Sequence, residues 1–131
     1  LFAATPFGTG APRAMLGVNV SVGEDAEHGQ RLALSVKGYY QRLQRLGSTA
    51  FVPTVAEAER ELGEAERAEP TRIVGGRWPR FVAGSAEQVR QTIEEMIEQS
   101  GADEVIVQDM IADPKDRAGS HERLARIFGL S

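Results

Sequence analysis

At 131 residues with 41% hydrophobic content, the chain is one domain by length and long enough to bury a core. Lys and Arg number 15 against 19 Asp and Glu, for a formal net charge of −4. With the arginines scattered among glutamates, the basic surface that phosphate contacts demand is missing, and nucleic acid is not expected as a partner. Cysteine is absent, which excludes disulfides and thiolate metal sites, and no apolar run reaches the ~20 residues of a membrane helix. A cytoplasmic setting, no membrane and no bound metal are therefore expected. The chain opens on Leu1 rather than Met, as a processed or truncated chain does, and no secretory leader is visible.

Residues 1–13 carry Pro6, Gly8, Gly10 and Pro12, the composition of an irregular loop. The Gly-Thr-Gly there is not a phosphate loop, because no Lys-Ser/Thr follows it. Met15 to Val22 reads as a strand, with Leu16, Val18, Val20 and Val22 on one face and Gly17, Asn19 and Ser21 on the other. A barrel strand whose inner face approaches a ligand cavity produces that pattern, with Asn19 in the pocket; an ordinary half-exposed strand produces it too.

Gly23-Glu24-Asp25 opens a helix to about Leu46, with its acidic residues at the positive end of the helix dipole and Gly47 as its stop. Leu32, Val36, Tyr39, Tyr40 and Leu43 form one apolar stripe, so the two tyrosines are read as packing. His28 falls in the polar first turns and is expected to face water. After a connector from Ser48, Thr54 or a neighbour caps a second helix through about Ala68. Val55, Ala58, Leu62 and Ala65 give that helix only a thin apolar stripe, and its glutamates and arginines read as a solvated, charge-paired face. Residues 48–80 are expected to be an insertion carrying this charged helix. Gly75-Gly76 and Trp78 lie in its loop, where Trp78 is expected to anchor the loop on the core.

From Phe81 the pattern is strand, helix, strand, helix. Phe81-Val82-Ala83 is a short buried strand, and Ser85 with Gln88 forms a capping box for the helix whose buried stripe is Val89, Ile93, Met96 and Ile97. Gly101 ends that helix, and Val105 to Ile111 is a second strand. Its continuous apolar run suits a sheet covered on both faces. Strand–helix–strand at this spacing is a βαβ unit with parallel strands. Asp113-Pro114 opens the last helix, with Leu124, Ile127 and Phe128 on its buried face.

Two features are site candidates. Gly84-Ser85, where a strand meets a helix N-terminus, offers backbone N–H groups to a phosphate or carboxylate, although Ser85 as a cap satisfies those groups itself. Gln108 and Asp109 close the last strand, and alternation turns one of them toward any central cavity. Asp109 has no evident acid–base partner in the sequence. Arg117 is placed to pair with Asp113, Ser120 to contact a neighbouring strand, and His121 is read as a packed or surface side chain.

The closing stretch also resembles the C-terminal part of bacterial-luciferase-like flavin-dependent monooxygenases. The residues that carry the resemblance are Gly84-Ser85, Gly101-Ala102-Asp103-Glu104, Asp113, Arg117, Ser120, Leu124-Ala125 and Phe128-Gly129-Leu130, in that order and spacing. The resemblance implies an α/β fold, the C-terminal portion of a (β/α)8 barrel, with about three parallel strands and about four helices in a single partial domain over residues 1–131. A whole barrel takes about 250 residues. It implies an oxidoreductase that uses reduced flavin (FMN, or a deazaflavin in some relatives) and oxygen on an organic, aldehyde-like substrate. No catalytic residue transfers with it, because the family's flavin contacts lie largely in earlier strands. An open parallel sheet of this size leaves an edge and a face without partners, so a homo-oligomer or association with a missing barrel half is expected. The reading from a different class is a non-enzymatic half-barrel module that binds a small anion or dimerises.

Overall fold

The computed structural model describes residues 14–47 and 50–129, so the expected loop over 1–13 and the start of the connector at Ser48 lie outside the described residues. The chain is α/β, a three-stranded parallel sheet with five helices in a partial, barrel-like arrangement. In chain order the elements are β1 (Met15–Gly23), α1 (Ala26–Leu46), α2 (Val55–Glu61), α3 (Glu64–Arg67), β2 (Phe81–Ser85), α4 (Ala86–Ser100), β3 (Glu104–Gln108) and α5 (Pro114–Ile127).

The sheet order is β2-β1-β3, so β1 is central and pairs in parallel on both sides. Asn19 to Gly23 pair with Phe81 to Ser85, and Met15 to Asn19 pair with Glu104 to Gln108. The strands of the βαβ unit are therefore parallel, as their spacing predicts, but they are not neighbours: β1 lies between them.

Alternation along β1 distributes the two faces. Leu16, Val18, Val20 and Val22 join Val82 and the α4 residues Val89, Ile93 and Met96 in one core, with Leu124 and Phe128 packed against it. Each fully buried Val or Ile there contributes about 1.5–3 kcal/mol. The opposite face carries Phe81 and Ala83, which meet Ala33 and Val36 of α1, with Tyr40 and Met110 at the margin. Tyr40 stacks on Phe81 at 5.2 Å between ring centroids, a packing role.

Helix boundaries follow local chemistry. Asp25 caps α1 by accepting from His28 N at 2.8 Å. His28 does not simply face water: its Nδ1 accepts from Glu24 N at 2.9 Å and adds to the same cap. Ser85 and Gln88 form the capping box of α4, and Gly101 ends it in the left-handed region at φ 69°. Thr54 and Glu57 form another capping box, at α2.

The single second helix expected through Ala68 is broken. Leu62 turns extended and Gly63 restarts the chain as the short α3. The break turns Leu62 into a buried cluster with Leu34 and Ala58. Consequently α1 is buried all round between Leu32 and Gly38, not along one stripe, because α2 covers its outer side. Lys37 lies in this double-sided region, and its ammonium donates to Arg67 O and Glu69 O at 2.8 and 2.9 Å. The α2 glutamates are also tied down: Glu61 accepts from Arg42 Nε at 2.8 Å and from its Nη2 at 2.6 Å.

Two further expectations change. Trp78 is not anchored in the core; it is 39% exposed, and its indole N–H donates to Gln99 Oε1 of α4 at 2.7 Å. β3 is not covered on both faces, for Ile106 is 46% and Val107 38% exposed. The reason is topological. α1 and α4 pack on β1 and β2 and α5 packs on β1, whereas β3, an outer strand like β2, lacks a helix packed squarely on it. α5 is accordingly half-exposed, with Ser120 its one fully buried residue among those described.

Candidate functional site

The C-terminal ends of the parallel strands point the same way, toward the rim where α/β proteins place their chemistry, but they are staggered: Gly23 is level with Ser85, whereas β3 ends at Gln108, level with Asn19. The geometry around Gly84-Ser85 is closed. Gly84 sits at φ 146°, and a Cβ there would meet Gln88 Oε1 at 2.4 Å. Gln88 Oε1 accepts from Ser85 N at 3.0 Å, while Ser85 Oγ accepts from Gln88 N at 3.2 Å. The capping box thus uses two of the donors that an anion would need. The Glu87 carboxylate in the same first turn adds negative charge, with Arg90 holding it below the usual carboxylate range through a hydrogen bond. Gly84 serves packing instead: Gly29 of α1 approaches so closely that a Cβ on Gly29 would lie 2.3 Å from Gly84 O.

Asn19 and Gln108 are register partners on β1 and β3 and so share a face. They share it with Gly17, beside which a Cβ would meet nothing within 4 Å. Asn19 Oδ1 is buried with no hydrogen-bond partner among the described residues, while Gln108 is exposed. This is the small, polar face read from the sequence, and its half toward β3 has no helix over it.

Asp109 is not isolated. His121 Nε2 lies 2.5 Å from Asp109 Oδ2, and Arg117 Nε lies 3.3 Å from Oδ1. The carboxylate also accepts from Ile111 N at 3.3 Å, which folds the chain sharply after β3. Arg117 pairs here rather than with Asp113, and its Nη2 donates to Ile111 O at 2.9 Å. Asp113 instead caps α5 through Lys115 N. The Asp109 side chain is 12% exposed and that of His121 54%. A carboxylate thereby orients an accessible imidazole whose Nδ1 has no partner among the described residues, an arrangement able to accept or deliver a proton. Sequence reading missed this cluster. The available signal was Arg117 and His121 at i,i+4, which puts both on one face of α5.

Ser120 fulfils the expected strand contact. Its buried Oγ accepts from Val22 N at 2.8 Å, and Arg123 Nη1 donates to Val22 O at 2.8 Å. β3 has ended at Gln108, opposite Asn19, so α5 side chains supply hydrogen bonds to the last residues of β1. No group of three or more acidic, His or Cys side chains able to hold a metal is found among the described residues, and no described helix is long and apolar enough to cross a membrane.

The fold and rim define an α/β chain of partial-barrel type. No family model matches it, and no curated protein matches it. Among solved structures it is similar to the crystal structure of apo-MsnO8, at 30% identity and a TM-score of 0.77. The match covers 99% of this chain but spans only 38% of that one.

Proposed function

We propose that this chain is the C-terminal part of a luciferase-like monooxygenase, an oxidoreductase in which reduced flavin and oxygen act on an organic, aldehyde-like substrate. The observation that carries the reading is the β3 side of the face that Gly17, Asn19, Ile106 and Gln108 share, which no helix packs on although α1 covers the β2 side. In a closed barrel, a further strand would pair with that edge. The ordered run from Gly84 to Leu130 supports the same family, as does a neighbour into which this chain fits as 38% of the length.

The residues present do not fit a flavin phosphate at Gly84-Ser85, since the capping box and Gln88 fill that position. The flavin, FMN or a deazaflavin, would be held by earlier strands of the whole protein. This chain would close the barrel and contribute the Asp109–His121 pair at its rim, in a cytoplasmic enzyme.

A second reading has its own observation. Ile106 and Val107 are exposed on an unpaired edge strand, which favours a non-enzymatic module that dimerises through β3. Titration with FMN, followed by flavin fluorescence, separates the two when run on this chain alone and with the remaining barrel half supplied. Quenching only in the second case is the expected result. Quenching in neither, with a tight dimer of 14.2 kDa chains by sedimentation, would replace the flavin reading with the module.

A further inference from the structure

Away from the strand-end rim, the loop between α3 and β2 forms a groove of about 450 Å³ lined by Glu69, Arg72, Val74, Arg77, Trp78 and Arg80. Its charges are unequal. Arg80 grips Glu69 through two hydrogen bonds of 2.7 Å and thereby neutralises it. Arg72 and Arg77 have no carboxylate ion pair among the described residues; Arg60 and Arg67 share that state elsewhere, whereas Arg31, Arg42, Arg90, Arg117 and Arg126 are ion-paired. Two guanidinium groups without a carboxylate partner therefore line the same groove as a half-exposed indole, in a chain whose net charge is −4.

The groove is also built to hold its shape. Gly75 and Gly76, at φ 57° and 78°, make a two-residue hairpin turn that only such torsions close, and Val74 and Arg77 bridge across it. The Trp78 N–H is fixed on Gln99 Oε1. At the base, Ala83 N donates to Thr71 O at 3.2 Å and Gln30 Nε2 to Thr71 Oγ1 at 2.8 Å, tying the loop to β2 and α1. Arg80 lies 4.9 Å over the Phe81 ring, so its position is set by stacking as well as by Glu69.

We infer that this groove is a binding site for a small aromatic phosphate monoester, with Arg72 and Arg77 on the phosphate and the Trp78 indole against the ring. Guanidinium groups match phosphate oxygens in geometry and charge, and an indole held by its N–H offers a flat apolar surface for a planar group. The site is independent of the flavin reading, for it uses no rim residue.

Trp78 is the only tryptophan in the chain, so its fluorescence reports on this groove alone. Phenyl phosphate is the probe, with inorganic phosphate and phenol as its separate halves. The expected result is saturable quenching by phenyl phosphate that weakens with added salt and is about tenfold weaker in Arg72→Ala or Arg77→Ala. Both arginines are exposed, so neither variant threatens the fold, and circular dichroism checks that it is kept. Calorimetry on Trp78→Leu should show weaker binding of phenyl phosphate and unchanged binding of inorganic phosphate. No quenching at millimolar probe, equal quenching by phenol, or wild-type affinity in both arginine variants would each overturn the assignment.

Discussion

His121 Nε2 stands 2.5 Å from Asp109 Oδ2, joining the chain just beyond β3 to the middle of α5 across twelve residues of sequence. Arg117 holds the other carboxylate oxygen from the same helix face. The three side chains fasten α5 to the strand end and leave the imidazole accessible.

Asp109→Ala removes the acceptor for both partners. Because the carboxylate is mostly buried while Arg117 and His121 are half-exposed, the expected loss is about 1–2 kcal/mol. His121→Ala should cost less, about 0.5 kcal/mol, since Arg117 still neutralises the carboxylate. Urea midpoints of the two variants, compared at one pH, measure the difference. Equal losses would mean that the imidazole, and not the shared carboxylate, organises the cluster.

Ser120→Ala leaves Val22 N buried without an acceptor. The expected cost is about 1–2 kcal/mol, carried by a single hydroxyl. Amide exchange at Val22 should accelerate out of proportion to its neighbours. A uniform acceleration along β1 would show that the substitution acts on global stability instead.

Two glycines should respond in opposite ways. Gly29→Ala drives a Cβ to within 2.3 Å of Gly84 O, backbone that cannot swing aside, and should cost about 2–3 kcal/mol or prevent folding. Gly17→Ala meets open space in a strand, where alanine is favoured, and should raise stability by about 0.5–1 kcal/mol. Thermal melts of both test the contrast. A large loss at Gly17 would mean that something covers this face in solution.

The two ends of the pH profile have different owners. Burial pushes the Lys37 ammonium below its ordinary value, with the Glu69 charge opposing. The unfolded chain then binds the proton over an interval in which the folded chain has lost it, so stability should rise with pH through that alkaline interval. In Lys37→Met the rise should vanish. At the acid end, the hydrogen bond from Arg42 holds Glu61 below the usual carboxylate range, with burial opposing and the Arg42 charge adding. That contribution is present above the unfolded carboxylate value and is lost as pH falls through the folded one. Glu61→Gln should flatten the acid limb. Denaturant midpoints across pH for both variants read these limbs, and an unchanged profile in either would remove its residue from the account.

Much of the local chemistry was legible, though not the His28 contribution to the α1 cap. The Asp25 and Gly47 ends of α1, the Ser85–Gln88 capping box, the Gly101 stop and the Leu16–Val22 alternation all depend on residues within a turn or two of each other. The break at Gly63 was not legible, because the gain that favours it is burial of Leu62 against Leu34, a contact across the fold. The Asp109 cluster was hidden for the same reason: the i,i+4 spacing of Arg117 and His121 puts them on one face of α5 but does not say that Asp109 meets that face.

By itself, then, the sequence determined the order of the main elements, the ends of α1 and α4, the parallel α/β character and the small polar face of β1, all consequences of short-range hydrogen bonding and side-chain period. Only the tertiary structure decided that β1 is the central strand, that β3 is left with Ile106 and Val107 exposed, and that Asp109, Arg117 and His121 meet. Strand order and side-chain encounters are set by which apolar faces bury one another at long range, and no local period along the chain encodes that choice.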